Sequence, residues 1–512
     1  MSAVQLKARP ALRLRLSWQP WIRTLRRVPR AGWICFLIGL INAGVWSVVL
    51  PPFQVPDESM HLSYAQYLAE TGKLPSGKPT TTGADANGQF SPQENNVVNY
   101  TFAWSLSGGL DTRGVFTPAQ QKTFERQMRV PASPVGYGYS TDQTNQPPLY
   151  YAYEALAYWL TPSSNLLARL AVMRLASAAL LGATVLAIFL FLRELMPRSR
   201  WVWPLGALAV AFQPQVNSIA GGVNADNLLY FASAATFLAL ARGYRRGLTT
   251  RRAIAIGVVV AIGLLSKLTY WGLTPGIGLA VLLMAYRSRG EYGYRRAAKN
   301  AILCGSIAAT PFVVYGLLNM TVWDRGGFLA GGLGGTGVST VPLIETLEYI
   351  WDFYLPHLWF MHYQFPGETN AHTIWVNGFI GLFGAEQYGF PLWVYKYGQY
   401  LIYAVFWLAV IAGLRRWKRL LEWAPLAACV LVMAAGLVYE IGTAGVHNVL
   451  GHAQFEQARY MFPLLALYGL MVGLAPKALP RRWAPVLGAA LLMIVMAHNF
   501  FGLTVTISRY YG

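Results

Sequence analysis

The stretch GWICFLIGLINAGVWSVVLPPFQVPDESMH, residues 32–61, changes from apolar to charged within a few positions. Its first part is apolar over about 20 residues, the length of a helix that spans a bilayer. The pair of prolines ends that run, and Pro56, Asp57, Glu58 and His61 follow. The sequence therefore predicts a membrane-spanning helix over residues 32–52 whose far end carries an acidic turn.

The composition extends this prediction to the whole chain. Of its 512 residues, 55% are hydrophobic and 12% are charged, against about 25% charged residues in soluble proteins. The formal net charge is +20. Because the basic residues stand in short clusters between apolar runs, we interpret them as topology signals and contacts to anionic membrane lipids, not as a nucleic-acid surface.

Hydropathy predicts an all-α polytopic membrane protein with about eleven transmembrane helices. The predicted spans are residues 32–52, 170–192, 201–219, 224–242, 253–271, 272–287, 299–320, 394–414, 423–441, 459–475 and 483–503. The fifth and sixth spans form one long apolar stretch, which we divide at Gly272 and Pro275. The three cysteines lie in apolar runs, which argues against a disulfide framework.

The basic clusters all fall on one side of the membrane when the chain is threaded through these spans. They lie at residues 7–30, 193–200, 242–252, 287–299, 415–419 and 477–482. Because Lys and Arg concentrate in cytoplasmic loops, we expect a basic cytoplasmic tail at residues 1–31 and a single transmembrane domain at residues 32–512. The opposite face then carries two long loops, at residues 54–149 and 321–393.

The first outer loop is predicted to contain helices that lie along the membrane surface. Residues 55–70 have helical character, with Pro56 at the first helical position, and His61 can share a face with Asp57 at a spacing of four. NQPPLYYAYEALAYWL, residues 145–160, is aromatic and amphipathic. This pattern predicts an interfacial helix with its Tyr and Trp side chains at headgroup level.

Polar residues suited to acid–base chemistry or to phosphate binding lie at the outer ends of the predicted spans. Besides Asp57 and Glu58 they include Asp226 in NSIAGGVNADN, Lys267 in LLSKLTYWG, and Arg459 in QARYMFP. Such a set suits sugar transfer from a lipid phosphate. Lys267 and Arg459 are candidates to bind the phosphate. The attacking hydroxyl needs a carboxylate base, and a helix N-terminus keeps Asp57 ionised.

These residues also have a purely structural interpretation. Asp57 and Glu58 stabilise a helix N-terminus without any chemistry, Lys267 can extend to the membrane surface, and Arg459 can anchor its helix there. Asp57, Glu58 and His61 are candidate ligands of a divalent metal. The sequence leaves metal dependence open.

Five short motifs occur in order along the chain, namely PPFQVPDESMH, NQPPLYY, NADNLLY, SKLTY and QARYMFP. With about eleven spans, a long first outer loop and an acidic pair just after the first span, the chain resembles the GT-C superfamily of membrane glycosyltransferases. Within it, the chain is similar to a bacterial family of predicted membrane proteins with a P-D-E-x-x-H motif after the first span. QARYMFP differs from the QGRY form associated with that family, since Ala458 replaces a glycine.

The resemblance implies an inverting transfer from a polyprenyl-phosphate sugar donor to a glycan, lipid or protein acceptor. It implies that Asp57, the first acidic residue after the first span, is the catalytic carboxylate, with Glu58 as the alternative. The candidate substrate-binding residues are His61, Asp226, Lys267, Gln457 and Arg459.

We therefore expect a multi-pass glycosyltransferase of the bacterial cytoplasmic membrane that works in cell-envelope glycan assembly. Its N-terminus is expected in the cytoplasm and its active site on the extracytoplasmic face. A lipid or polysaccharide transporter, which lacks chemistry, is one alternative. An O-antigen-type polymerase or ligase, which moves a whole glycan, is the other.

Overall fold

A computed structural model gives the structure of most of the chain. The residues it describes are 28–75, 90–101, 103, 106, 117–134, 143–161, 165–323, 325, 327–328, 343–354, 359, 373–384, 386–450 and 456–512. Within them the fold is helical, apart from a short antiparallel pair of two-residue strands. The predicted all-α polytopic class is confirmed. The predicted basic tail lies outside the described residues up to position 27.

The helices of the first half of the chain surround one central helix, α6. They are α1 (Arg30–Val49), α2 (Glu58–Thr71), α3 (Pro92–Tyr100), α4 (Pro118–Met128), α5 (Leu149–Trp159), α6 (Leu166–Leu195), α7 (Val202–Ala211), α8 (Pro214–Ala220), α9 (Asp226–Arg246) and α10 (Thr250–Leu264). The helices α1, α5, α7 and α9 all pack on α6. This arrangement brings side chains of α6 into contact with the turn between α1 and α2.

The second half continues the bundle. Its helices are α11 (Thr274–Tyr292), α12 (Tyr294–Thr321), α13 (Leu343–Tyr354), α14 (Gly378–Gly381), α15 (Leu392–Leu414), α16 (Trp417–Leu450), α17 (Leu465–Leu474) and α18 (Ala484–Tyr511). Strands β1 (Leu382–Phe383) and β2 (Tyr388–Gly389) follow α14. A 3₁₀ helix, Leu268–Leu273, precedes α11, and two more, Ala458–Leu464 and Ala475–Ala478, flank α17.

Eight helical segments of the described chain are long and apolar enough to cross a bilayer. They are Arg30–Val49, Leu166–Leu195, Leu268–Tyr292, Tyr294–Thr321, Leu392–Leu414, Trp417–Val446, Ala458–Ala478 and Ala484–Tyr511. The other three predicted spans fall on the broken pair α7–α8, on α9 with its charged ends, and on the 15-residue α10. The total of eleven spans stays a prediction.

One predicted boundary is wrong. The helix expected over residues 55–70 begins at Glu58, so Pro56 is not at its first helical position. The helix does not extend back through Asp57, because the φ of this residue is 61°, a left-handed conformation that a right-handed helix does not contain. The predicted division beside Gly272 lies within the break between α10 and α11, which covers residues 265–273.

The helix predicted over residues 145–160 is present as α5, but its tyrosines do not face lipid headgroups. Tyr150, Tyr151 and Tyr158 are fully buried between α5, α2 and α6. Their hydroxyls find partners inside the protein, as Tyr158 does by donating to Glu70 at 2.6 Å. Partnered hydroxyls make burial of such amphipathic side chains favourable, so the headgroup prediction is wrong for these residues.

Close contacts between glycines hold two helix pairs together. A Cβ atom at Gly206 on α7 would lie 2.2 Å from the carbonyl oxygen of Gly469 on α17. A Cβ at Gly436 on α16 would lie 2.1 Å from the carbonyl oxygen of Gly272. Small residues that let backbones touch are typical of helix pairs in membranes, where dispersion contacts replace the hydrophobic effect.

A buried amide pair ties the first helix to the last. Asn42 donates to Asn499 at 3.2 Å and accepts from it at 3.0 Å. Asn42 also donates to the carbonyl of Ala211 at the end of α7, at 2.8 Å. Because unpaired amides are costly in an apolar interior, this set of bonds fixes the mutual positions of α1, α7 and α18.

Candidate active site

The chain between α1 and α2 forms a tight turn that presents Asp57. Phe53 and Asp57 have φ values of 64° and 61°, a conformation that residues other than glycine rarely adopt. Each such residue costs about 1–3 kcal/mol and persists only where the surrounding structure enforces it. Asp57 stands directly before α2, yet its side chain makes no capping hydrogen bond to the helix. Its carboxylate is therefore available to other partners.

Glu58 and Arg174 enforce this turn. The guanidinium of Arg174, on α6, lies 2.6 Å from the Glu58 carboxylate, and both side chains are buried. Glu58 also accepts from the backbone N–H groups of Phe53 and Val223, at 2.8 and 3.0 Å. Arg174 donates in addition to the carbonyls of Ser47, Leu50 and Pro51. Both oxygens of Glu58 are thus engaged, and the structure does not bring this carboxylate to the surface.

Asp57 forms an ion pair with Arg459, from the 3₁₀ helix before α17. Nη2 of Arg459 lies 2.6 Å from Oδ2 of Asp57. The Arg459 side chain is 3% exposed, whereas that of Asp57 is 35% exposed. The pair therefore combines a buried cation with a carboxylate that a ligand can reach.

Arg459 also faces a second ion pair. Its Nη1 lies 3.6 Å from Oδ2 of Asp226, the first residue of α9. Oδ1 of Asp226 accepts a 2.6 Å hydrogen bond from Nζ of Lys267, which lies in the break between α10 and α11. Lys267, Asp226, Arg459 and Asp57 thus form a row of alternating charges, which we call the charged row. Four of the predicted site residues meet in it.

Some buried groups of the charged row have unused hydrogen-bonding capacity. Within the described residues, Nε and Nη1 of Arg459 and Oδ2 of Asp226 have no hydrogen-bond partner. A buried polar group left unsatisfied costs about 1–3 kcal/mol, and a charged one costs more. Each bidentate fork of a guanidinium includes Nη2, which Asp57 occupies, so Nε and Nη1 of Arg459 can each donate a separate hydrogen bond to a carboxylate or a phosphate.

The charged row determines the acidity of Asp57. Burial opposes ionisation of this carboxyl, but the Arg459 guanidinium, with smaller contributions from His61 and Lys267, lowers its pKa from 3.8 to about 2. Asp57 is therefore ionised at neutral pH. While the ion pair is intact it is a weak base, because a proton would have to displace a close cation.

His61 borders the charged row from an aromatic cluster. Its buried ring stacks on Tyr151 with centroids 5.8 Å apart, and Tyr151 stacks on Tyr64 at 3.6 Å. Nδ1 of His61 lies 2.9 Å from the Tyr151 hydroxyl. Burial lowers the pKa of His61 to about 3, although Asp57 opposes this change. The imidazole is therefore neutral at physiological pH.

Gln457 and Ala458 lead into the 3₁₀ helix that carries Arg459. Gln457 is extended and half-buried, and its side chain makes no hydrogen bond within the described residues. Ala458 is 4% exposed, and a Cβ at Gly378 would lie 2.8 Å from its methyl group. The methyl group is accommodated because the facing residue is a glycine.

The structure brings all five motifs to one end of the bundle. Asn224 donates to the carbonyl of Pro56 at 2.9 Å, which joins NADNLLY to PPFQVPDESMH. The side-chain oxygen of Gln146 accepts from the N–H of Leu268 at 3.1 Å, which joins NQPPLYY to SKLTY. The ion pair between Asp57 and Arg459 adds QARYMFP. Motifs that are far apart in the sequence therefore build one site.

The proposed metal ligands do not form a cluster. Asp57 pairs with Arg459, Glu58 with Arg174, and His61 contacts Tyr151. In the part of the chain that the structure describes, no group of three or more His, Cys, Asp or Glu side chains is placed to hold a metal ion.

A comparison with protein families identifies the chain. The model of the family described as predicted membrane protein (DUF2142) matches residues 40–468. The chain belongs to this family. The match covers all five motifs and all the residues of the charged row, so these features lie within the family's common region. A comparison with curated proteins finds no match.

Among solved structures, this DUF2142 protein is similar to the apo form of an oligosaccharyltransferase from Archaeoglobus fulgidus. The two share 10% sequence identity with a TM-score of 0.43. The similarity covers 93% of this chain and 56% of the other. The DUF2142 protein thus spans little more than half the length of that enzyme.

The structure also reveals two residues near the site that the sequence reading missed. Arg174 lies inside the predicted span 170–192, and a charged residue at such a position is a signal of a buried partner. Glu386 lies between β1 and β2 with φ of 61°. Burial raises the pKa of Glu386 to about 7, and Arg459 is close enough to oppose this rise. Glu386 is thus another carboxyl group within the electrostatic reach of Arg459.

Proposed function

We propose that this DUF2142 protein is a GT-C-type glycosyltransferase that moves a sugar from a polyprenyl-phosphate carrier to an acceptor hydroxyl. The observation that carries this proposal is the 2.6 Å pair of an accessible Asp57 carboxylate and a buried Arg459 guanidinium. A base for the acceptor and a cation for the donor phosphate are the two groups that the transfer requires. Here they are adjacent.

In the proposed reaction, Asp57 accepts the proton of the acceptor hydroxyl as its oxygen attacks the anomeric carbon. A glycosidic C–O bond forms while the bond from the anomeric carbon to the phosphate oxygen breaks. The leaving phosphate takes the bonding electron pair. Attack from the face opposite the phosphate inverts the anomeric configuration.

The leaving phosphate needs cations more than it needs a general acid. Arg459 can donate to it from Nε or from Nη1, which have no hydrogen-bond partner among the described residues. Lys267 supplies a second, compact positive charge on the other side of Asp226. Fixed cations that face developing negative charge are among the largest contributions to catalysis.

Donor binding also activates Asp57 in this proposal. When the phosphate engages Arg459, the guanidinium is shared and the attraction that holds the pKa of Asp57 near 2 weakens. The pKa then rises, and a carboxylate with a higher pKa is a stronger base. Deprotonation of the acceptor is thereby favoured when the donor is present.

The remaining predicted residues receive supporting roles. Glu58 positions the turn through Arg174, while His61, Asp226 and Gln457 orient the sugar or the acceptor. We place the site on the extracytoplasmic face of a bacterial cytoplasmic membrane, away from the basic clusters. The outer loops at residues 54–149 and 321–393 would then shape the acceptor side, as cell-envelope glycan assembly requires.

Sugar transfer by the purified full-length chain in lipid nanodiscs tests this function. Labelled polyprenyl-phosphate sugars are supplied with washed membranes as the source of acceptor, and transfer of label is measured. We expect Asp57→Asn to lower the rate by about 100-fold or more, as loss of a general base does. Asparagine tolerates the left-handed conformation, so the turn should remain folded.

Glu125→Gln is the matched control, since it removes an exposed carboxylate from the same loop, on α4. It should keep the full rate. Full activity in Asp57→Asn would refute the base assignment. Transfer of whole glycans from lipid diphosphates, with none from monophosphate sugars, would support the polymerase or ligase alternative instead.

A further inference from the structure

The opposite end of the bundle from the charged row contains a cavity. Its volume is about 710 Å³, and it lies where α6, α9, α11, α16 and the 3₁₀ helix after α17 meet. Asp226 begins α9 and Arg245 lies near its other end, so the 21 residues of α9 separate the two sites by roughly 30 Å. That distance is close to the thickness of a bilayer core.

The walls of this cavity are strongly basic. Among the described residues, the cationic side chains that line it are Arg198, Arg245, Arg287, Arg419 and Lys477. Glu422 is the one acidic residue of the same lining. We call this space the basic cavity. Like charges so close together repel one another, and an anion bound among them would relieve that repulsion.

Two of these arginines have side chains without a partner among the described residues. Arg245 is paired with Glu194, and Lys477 donates to Ser199. In contrast, the guanidinium groups of Arg198 and Arg419, which are both exposed, make no hydrogen bond or ion pair within the described part of the chain. Exposed guanidinium groups of this kind bind phosphate oxygens in a bidentate manner.

An apolar groove continues from the basic cavity toward the middle of the bundle. Its volume is about 430 Å³, and it is lined by aliphatic side chains of α6, α9, α16 and α17, such as Leu240, Val430 and Leu470. Arg419, Trp423 and Lys477 belong to the walls of both spaces, as do Leu195 and Met196. Leu431 on the groove is 71% exposed, so the groove opens to the outside of the bundle.

We propose that these two spaces bind one anionic phospholipid, with its phosphate headgroup in the basic cavity and an acyl chain in the groove. A phospholipid that occupies both spaces explains why cationic and aliphatic side chains lie next to each other at Arg419 and Trp423. A free phosphate ion would use the basic cavity but not the groove. The proposal does not depend on the glycosyltransferase function, because the two sites are at opposite ends of the bundle.

Native mass spectrometry of the full-length protein in detergent, titrated with dioleoyl phosphatidic acid, tests this site. The double variant Arg419→Gln/Lys477→Gln should bind this lipid about 25-fold more weakly, roughly fivefold for each cation removed. Arg251→Gln/Arg295→Gln is the matched control, since both arginines are exposed and belong to the basic clusters at residues 242–252 and 287–299 but do not line the cavity. It should bind as the unaltered protein does. Equal weakening in the two double variants would overturn the proposal.

A variant of the groove separates a lipid from a free ion. A Cβ at Gly413, which lines the groove, would meet nothing within 4 Å, so Gly413→Leu can occupy the groove without disturbing the fold. It should weaken binding of dioleoyl phosphatidic acid several-fold and leave competition by inorganic phosphate unchanged. If inorganic phosphate binds as tightly as the lipid, or dioleoyl phosphatidylcholine binds equally well, the assignment to an anionic lipid is wrong.

Discussion

Asp57 combines a strained backbone, an accessible charge and a buried partner. It adopts a left-handed backbone conformation, its carboxylate is accessible, and its partner is a buried guanidinium. Strained residues persist where the surroundings enforce them and are concentrated at functional sites. At this position the enforcing contacts are those of Glu58 and Arg174. A simple helix cap would need none of them.

The pH dependence of stability reports on the ion pair of Asp57. Its pKa is lowered from 3.8 to about 2 in the folded protein, so ionised Asp57 stabilises the fold above its ordinary pKa. This contribution is lost as the pH falls through the folded-state pKa. We therefore expect the unfolding temperature of the wild type to exceed that of Asp57→Asn at pH 5. The difference should shrink as the pH falls below 3.8 and disappear once the pH is below about 2.

The control for this measurement is Glu125→Gln, whose exposed carboxylate should show no comparable difference at any pH. If the difference in unfolding temperature between wild type and Asp57→Asn stays constant from pH 5 to pH 2, the ion-pair explanation is wrong.

Removal of one partner of the pair Glu58–Arg174 should destabilise the protein strongly. Glu58→Gln leaves Arg174 buried without its counter-charge, and breaking a buried ion pair in this way costs about 3–5 kcal/mol. The free energy of unfolding, measured by titration with a denaturing detergent, checks this. Glu70→Gln is the control. The ion pair of Glu70 with Arg169 is more exposed, so this variant should lose less of its free energy of unfolding than Glu58→Gln does. A larger loss in Glu70→Gln would contradict the assignment of Glu58 as the residue that holds the turn.

At the scale of elements, glycine contacts decide how closely helices approach. Gly436→Leu on α16 places a side chain against the backbone of Gly272, where a Cβ alone would lie 2.1 Å from the carbonyl oxygen. Overpacking of a filled contact costs about 1–3 kcal/mol or more, so we expect the free energy of unfolding to fall by at least that amount. Gly278→Leu on α11 is the matched control, because a Cβ there meets nothing within 4 Å. Equal stability of the two variants would refute the close contact.

The elements were predictable to different degrees for a physical reason. Each predicted span overlaps a helix, because a run of apolar residues of bilayer length is a local property. The start of α2 was not predictable, because it depends on the left-handed conformation of Asp57, which side chains from α6 enforce. The amphipathic pattern of α5 predicts tyrosines at the membrane surface. The same pattern suits a helix whose apolar face packs against lipid and one whose apolar face packs against protein, so the sequence does not distinguish the two.

At the scale of the molecule, the bundle has a strongly basic end and an end that carries the charged row. If the basic end is cytoplasmic, as the excess of Lys and Arg predicts, a cysteine at Gln121 on α4 should react with an impermeant maleimide in intact cells. A cysteine at Gly290 on α11, where a Cβ has open space, should react only after permeabilisation. Labelling followed by gel analysis measures both.

The native cysteines provide a low background for this experiment, because Cys35, Cys304 and Cys429 are free and buried. The protein without added cysteines serves as the blank. The reverse pattern, in which Gly290→Cys is labelled in intact cells, would contradict the orientation and the placement of the charged row outside the cytoplasm.

The sequence by itself determined the membrane class, the approximate positions of the helices and the gathering of basic residues at one end. It also indicated Asp57, Asp226, Lys267 and Arg459, because charged residues at span ends on the less basic side are unusual. These features depend on composition and on the order of residues along the chain. Hydropathy and charge counting therefore sufficed.

Only the tertiary structure decided which charges pair. Asp57 and Arg459 are 402 positions apart, and their contact depends on how α1, α9 and α17 pack, not on any local pattern. The same packing buries Glu58 against Arg174 while its neighbour Asp57 remains accessible. Two adjacent acidic residues thus differ in environment because their side chains leave the backbone in different directions, and the three-dimensional surroundings determine what each direction meets.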